Sequence, residues 1–205
     1  MLTLSISLFV SEASYPEHLS SFTFPPPAIA ALLLVLVVAA AVCDVAVRRI
    51  PNWLTAAGMV LGLAMNAFLR AGWPGVRFSL AGLFAASAVY LALYSLRAMG
   101  GGDVKLMAAV GSLTGWENWI AIFLLTAVLG GIAALILVTL RGRLKKTLWN
   151  VGFILSELKS GRPAYTKNDE LNVRSSKSLG LPHGAVIAMG TIVFLAIGGS
   201  HYWTV

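Results

Sequence analysis

Two carboxylates stand where apolar sequence usually excludes them. Asp44 lies near the end of an apolar run, just before Arg48 and Arg49. Asp103 belongs to the stretch Gly100-Gly101-Gly102-Asp103-Val104-Lys105, set between two further apolar runs. An ionisable group in or at the edge of a membrane segment is energetically expensive, so it marks a functional site by default. The remaining acidic residues, Glu12, Glu17, Glu117, Glu157, Asp169 and Glu170, fall in tails, loops or a polar stretch. Two carboxyl groups brought together in a low-dielectric site cannot both ionise. Such a pair titrates as a unit, and it can activate a water as general base while donating a proton as general acid. A plainer reading stays open from the residues alone. Asp44 can pair with Arg48 one helical turn along, and Asp103 can cap the helix that follows it.

The residues around the two carboxylates carry smaller expectations. Gly100, Gly101 and Gly102 let two backbones, or a backbone and a substrate, approach closely. Lys105 can hold Asp103 ionised or orient a carbonyl, or it can simply reach toward lipid head groups. Cys43 is a small packing residue with no evident basic partner to activate it. As the only cysteine it excludes an internal disulfide and any multi-cysteine metal site. Neither a metal nor a cofactor is called for.

The elements that must position these residues are apolar spans. Hydrophobic residues make up 58% of the 205, and charged residues only 11%, against about 25% in a soluble domain. The chain is therefore an all-α integral membrane protein with no separate soluble domain. Residues 1–27 read as a polar tail that holds no Lys or Arg and is interrupted by Pro25-Pro26-Pro27. No secretory signal is legible there. Span one covers about Ala28 to Val47. Ile50-Pro51-Asn52 makes a turn with Asn52 as the N-cap of span two, Trp53 to Leu69. Arg70 to Arg77 reads as a turn, followed by span three from about Phe78 to Leu96. A weaker apolar segment runs from Val104 to Trp116, span five from Asn118 to Leu140, and a last span from Pro182-His183-Gly184 to about Ser200. Trp53, Trp73, Trp116, Trp119, Trp149 and Trp203 stand near span ends and read as interface anchors. His183, near a helix start, reads as structural.

Charge sets the topology. The weak segment is roughly 20 Å long as a helix, against a hydrocarbon core of about 30 Å. It is either a thin span or a re-entrant piece buried by its neighbours. With six crossings and both termini extracytoplasmic, Arg48, Arg49, Arg97, Lys105 and the nine basic residues from Arg141 to Lys177 all face the cytoplasm. Only Arg70 and Arg77 are left outside, as the positive-inside rule favours. Residues 28–205 then form one membrane domain, with 141–179 a basic cytoplasmic loop. Leu148, Trp149, Val151, Ile154, Leu155 and Leu158 give that loop an amphipathic helix. The net charge of +7 is met by anionic inner-leaflet lipids and does not call for nucleic acid. Asp44 and Asp103 fall at the same membrane depth.

At this point the residues resemble a known family. Asp44 with Arg48-Arg49-Ile50-Pro51-Asn52, and Gly100 to Lys105, are similar to the type IV prepilin peptidases, membrane aspartic proteases with a G-x-G-D motif. Leu181-Pro182-His183-Gly184-Ala185-Val186-Ile187-Ala188 resembles the start of that family's last helix, with His183 where an aromatic residue is usual. The resemblance implies that Asp44 and Asp103 form a catalytic dyad. It would cut the basic leader from a prepilin at the cytoplasmic face of the bacterial inner membrane. Lys105 falls at the motif's lysine position. Larger members carry paired Cys-x-x-Cys motifs linked with methyl transfer. Their absence resembles the small, peptidase-only branch that serves Flp-type pilins in tight-adherence systems.

A second class of function uses the same two residues. A proton-coupled transporter or a pilus-assembly subunit can employ Asp44 and Asp103 as a relay. Transporters often carry internal repeats, and none is evident between residues 28–97 and 104–205.

Overall fold

The computed structural model describes residues 24–96, 99–142, 149 and 182–202. Its elements are α1 (Pro27–Val47), α2 (Asn52–Leu69), α3 (Trp73–Ser95), α4 (Gly101–Leu140) and α5 (His183–Tyr202), with no strand among the described residues. The first four are long and apolar enough to cross a membrane, and α5 contributes a shorter apolar stretch, His183–Gly198. The expected amphipathic helix in the basic loop and most of the N-terminal tail lie outside the described residues.

The helices are ordered inside out relative to a soluble bundle. The residues that α2 buries are Thr55, Gly58, Gly62 and Asn66, and those of α3 are Gly75, Ser79, Gly82, Ala86 and Tyr90. Large apolar side chains such as Phe68, Phe84 and Val60 point outward. In lipid there is no hydrophobic drive between helices, so small residues at helical spacing supply close packing instead. The tightest contact is Gly82 of α3 against Gly111 of α4, where a Cβ on either residue would strike the other's carbonyl.

α4 is a hairpin of two limbs. Gly115 breaks it with φ 76° and ψ 171°, a left-handed backbone that side-chain-bearing residues rarely adopt. Along α3, Phe78 meets Gly115, Gly82 meets Gly111 and Tyr94 meets Gly101. The first limb therefore runs antiparallel to α3. Tyr90 meets Trp119 and Phe123 of the second limb, which runs back alongside. From Asp103 to Gly115 every residue but the exposed Lys105 is buried. The weak apolar segment is thus the central helix of the bundle, buried by its neighbours.

Three local expectations are corrected. Asn52 is the first residue of α2, and Pro51 holds the N-cap position without a side-chain cap. Proline suits the position before a helix, and Asn52 uses its side chain elsewhere. The turn expected over Arg70 to Arg77 is much shorter, because α3 starts at Trp73 with a proline in its first turn, after Gly72 at φ 82°. Trp119 is not an interface anchor. It is 2% exposed and stacks on Phe123 at 5.5 Å, because the break at Gly115 turns this face of the second limb inward. Trp53, Trp73 and Trp116 are exposed, as interface residues would be.

Candidate functional site

α1 delivers Asp44 three residues before it ends, and α4 delivers Asp103 in its first turn. Both carboxylates line one cavity of about 520 Å³ together with Arg48, Arg49, Asn52 and glycines 100–102. The two carboxylates interact electrostatically. The two carboxylates thus share one cavity, which the residues alone left open, although they come from helices with few mutual contacts.

Each carboxylate is held by a backbone amide at a helix start. Gly184 N–H, in the first turn of α5, donates to Asp44 Oδ2 at 2.7 Å. Gly100 N–H donates to Asp103 Oδ2 at 3.1 Å, so the carboxyl of the third residue of α4 reaches back to the N-cap amide. Asp103 does not itself cap the helix that follows it: Gly100 is the N-cap, Asp103 is the third residue of α4, and its carboxyl also lines the cavity. Asp103 is 8% exposed, while Asp44 is half-buried. Pairing with Arg48 was one open reading of Asp44; the amide that Asp44 accepts comes from the far end of the chain. Arg48 ends α1 in the left-handed region, at φ 54° and ψ 31°.

The motif residues divide by role. Lys105 donates to Asn52 Oδ1 at 2.9 Å, tying the start of α2 to α4 on the exposed side. Two of the three glycines, Gly101 and Gly102, are not demanded by packing. A Cβ at Gly101 or Gly102 would have as its nearest neighbour Tyr94 at 3.6 Å or Ile50 at 3.4 Å, ordinary contacts, and one at Gly100 would meet Asp103 Oδ2 at 3.2 Å. Glycine inside a helix lowers stability by about 0.5–1 kcal/mol relative to alanine. Nothing in the described fold repays that at Gly101 and Gly102, and both face the cavity. Cys43 is a half-buried free thiol.

Residue types and spacing did not point to Tyr90, Gly184 or the side chain of Asn52. Tyr90 is 1% exposed, lies edge-on to Trp119 and Phe123, and interacts electrostatically with Asp103. Its place was legible only as one more aromatic residue in an apolar span. Gly184 sat in the motif-like stretch of the last span, but its amide's target is 140 positions away. Among the described residues no three His, Cys, Asp or Glu side chains gather as metal ligands.

No curated protein and no solved structure matches this chain. The model of the type IV leader peptidase family does match, over residues 31–135, just over half of the sequence and a stretch that contains both Asp44 and Asp103. A helical membrane protein with paired carboxylates in one cavity is in keeping with that match, and the chain belongs to the type IV leader peptidase family.

Proposed function

We propose that the protein is an aspartic endopeptidase that removes the basic leader from a type IV prepilin, with Asp44 and Asp103 as its catalytic dyad. The observation that carries the reading is the shared cavity: the two carboxylates, from α1 and α4, face one space of about 520 Å³. A water between them loses a proton to one carboxylate and attacks the scissile carbonyl. The other carboxyl, held protonated, gives its proton to the carbonyl oxygen; as the C–N bond breaks, the carboxyl that took the water's proton passes it to the leaving amine, and a hydroxyl of the tetrahedral intermediate returns a proton to the second carboxylate. Gly101 and Gly102 offer the substrate a surface without side chains. A peptide must be extended to be cut, and its backbone needs that close approach.

The two limbs of α4 account for six passes through the bundle, α1, α2, α3, the two limbs and α5. This supports a topology with both termini outside and with the cavity, Arg48, Arg49 and Lys105 at the cytoplasmic face of the bacterial inner membrane. Residues 28–205 form the membrane domain in this reading, with residues 1–27 as an extracytoplasmic tail and 141–179 as a basic loop against anionic lipids. The single cysteine supports assignment to the peptidase-only branch that processes Flp-type pilins, without methyl transfer. Co-expression with a candidate prepilin tests the reading by gel analysis of leader removal. Wild type should shorten the prepilin, and Asp44→Asn and Asp103→Asn should each leave it intact while still reaching the membrane. Processing by either variant would remove that residue from the dyad. A wild type inactive on every candidate pilin would return weight to the proton-relay reading.

A further inference from the structure

Each carboxylate of the pair gives one oxygen to a main-chain amide, and both amides belong to glycines. Gly184 N–H donates to Asp44 Oδ2 at 2.7 Å, and Gly100 N–H donates to Asp103 Oδ2 at 3.1 Å. Neither amide is committed to its own helix. Gly100 stands just before α4 and Gly184 is the second residue of α5, and the first amides of a helix have no partner within it.

The space beside the two amides is also alike. A Cβ on Gly184 would lie 3.0 Å from both Asp44 Cβ and Oδ2, and one on Gly100 would lie 3.2 Å from Asp103 Oδ2. Both distances are tighter than ordinary van der Waals contact. A side chain at either position would press on the very carboxyl that the amide holds. Gly101 and Gly102 show no such crowding, so Gly100 differs in kind from the two glycines after it.

The two amides reach the cavity by independent routes. Gly100 is local to Asp103, whereas Gly184 is carried to Asp44 by the packing of α5. That helix lies along α1. Its Gly190 packs against Thr126, and its Val186 against Gly130, both on the second limb of α4. Near its other end Phe24 stacks on Phe194 at 5.2 Å and fills the place of a side chain at Gly198. Contacts along the whole helix therefore fix the height of the Gly184 amide. Gly184 also lies beyond residues 31–135, the stretch that matches the family model.

We propose that Gly100 and Gly184 are the positioning residues of the pair, each clamping one carboxyl oxygen by its main-chain N–H and leaving the other oxygen to the water and the scissile carbonyl. The assignment rests on the dyad reading given above. Fixing one oxygen arrests rotation of the carboxyl about its Cβ–Cγ bond, a torsion that is otherwise broad. The second oxygen then holds a set direction, which matters because reacting atoms must meet in line at about 3–3.5 Å. A helix-start amide suits this task. Its direction is set by the helix, and it orients the carboxyl without bringing a cation into the cavity.

At Gly100 the bond also serves the start of α4, so Gly184 gives the cleaner test. The full chain is made by cell-free synthesis into liposomes with the Gly184 amide exchanged for an ester, which removes the N–H and adds no side chain. The same exchange at Ala185, the next residue of the turn, is the control. Gly184→Ala keeps the N–H and adds the Cβ. Leader removal is measured as kcat and KM, and folding by thermal melting. The ester at 184 should lower kcat about tenfold or more, with KM and melting little changed, as expected for a misplaced reacting group. Gly184→Ala should also lower kcat, and the ester at 185 should behave as wild type. Wild-type kcat in the 184 ester overturns the inference and leaves the dyad standing. Equal losses in the 184 and 185 esters also overturn it, since they indicate only a damaged helix. A wild type that leaves the leader in place overturns the peptidase reading itself, and this inference with it.

Discussion

At one end of the bundle the chain turns at Gly115, and at the other it opens into the cavity with Asp44 and Asp103. The turn end is closed by side-chain donors to its carbonyls, although Asn66 Oδ1 is buried without a hydrogen-bond partner. Breaking α4 at Gly115 deprives the last carbonyls of the first limb of their usual helical donors. Asn66 Nδ2 supplies Ser112 O at 3.1 Å and Leu113 O at 3.2 Å, Ser79 Oγ supplies Ser112 O at 2.6 Å, and Asn118 Nδ2 supplies Thr114 O at 3.0 Å. Ser112 Oγ in turn donates to Met59 O of α2 at 3.0 Å. Arg70 lies over the Phe78 ring at 3.7 Å, and Phe78 fills the space beside Gly115. Burial lowers the Arg70 pKa below the ordinary guanidinium value, and Glu117 acts against that shift.

The cavity end is built the other way. Arg48, Arg49, Asn52 and Gly101 are exposed, and α2 starts there without a side-chain cap. Glycines serve both ends for different reasons. At Gly82 and Gly111 the protein's own backbone occupies the place of a side chain, whereas at Gly101 and Gly102 a Cβ would meet only ordinary contacts with Tyr94 and Ile50. A rigid closed end can hold two carboxylates at fixed height while the open end stays free to admit a peptide.

The largest expected effect breaks the chemistry and spares the frame. Asp44→Asn or Asp103→Asn should lower leader removal by about 10²–10⁴-fold, with the thermal melting of the detergent-solubilised protein nearly unchanged. A second substitution attacks the frame alone. Gly111→Leu should cost about 3 kcal/mol or more by overpacking against Gly82 and Ala86, seen as lost folded protein in melting curves. Any remaining folded fraction should keep its specific activity. Asn66→Leu should destabilise by about 1–3 kcal/mol, because the carbonyls of Ser112 and Leu113 lose a buried donor.

The same exchange at two glycines sharpens the contrast most directly. Gly111→Ala should lower the melting temperature, because its Cβ meets Gly82 backbone. Gly101→Ala should leave it equal or raise it, by about 0.5–1 kcal/mol of helix stability, while KM for the prepilin increases. A Gly101→Ala protein with unchanged KM would show that the cavity glycines do not receive substrate. The smallest effect is expected at Lys105→Ala, which removes the exposed bond to Asn52. It should cost about 1 kcal/mol or less and leave kcat within a few-fold, because Lys105 does not touch Asp103.

Local chemistry made several features legible in the sequence. Apolar runs bounded by Pro51, Gly72 and Arg141 placed the helices to within a few residues, except at α3. There, a proline in the first turn extended the helix into what read as a loop. The two carboxylates stood out because apolar sequence makes a charge conspicuous; that they line one cavity comes from the packing, and their catalytic role is a proposal. Residue type and spacing are properties of short stretches, and these are where such reading works.

What only the tertiary structure decided depends on contacts between distant residues. The segment after Asp103 looked like a weak span. Its burial on every side comes from the small residues of α2 and α3, whose rotation no single span reveals. Trp119 read as an anchor because it is aromatic and near a span end, yet the hairpin at Gly115 turns it inward. The Gly184 amide could not be assigned to Asp44 from sequence, since a backbone N–H carries no residue signature and its acceptor lies on the first helix. Sequence alone thus determined which groups could react and in which apolar frame they sit. The packing of glycine against backbone decided which of them meet, because that packing sets the height and rotation of each helix.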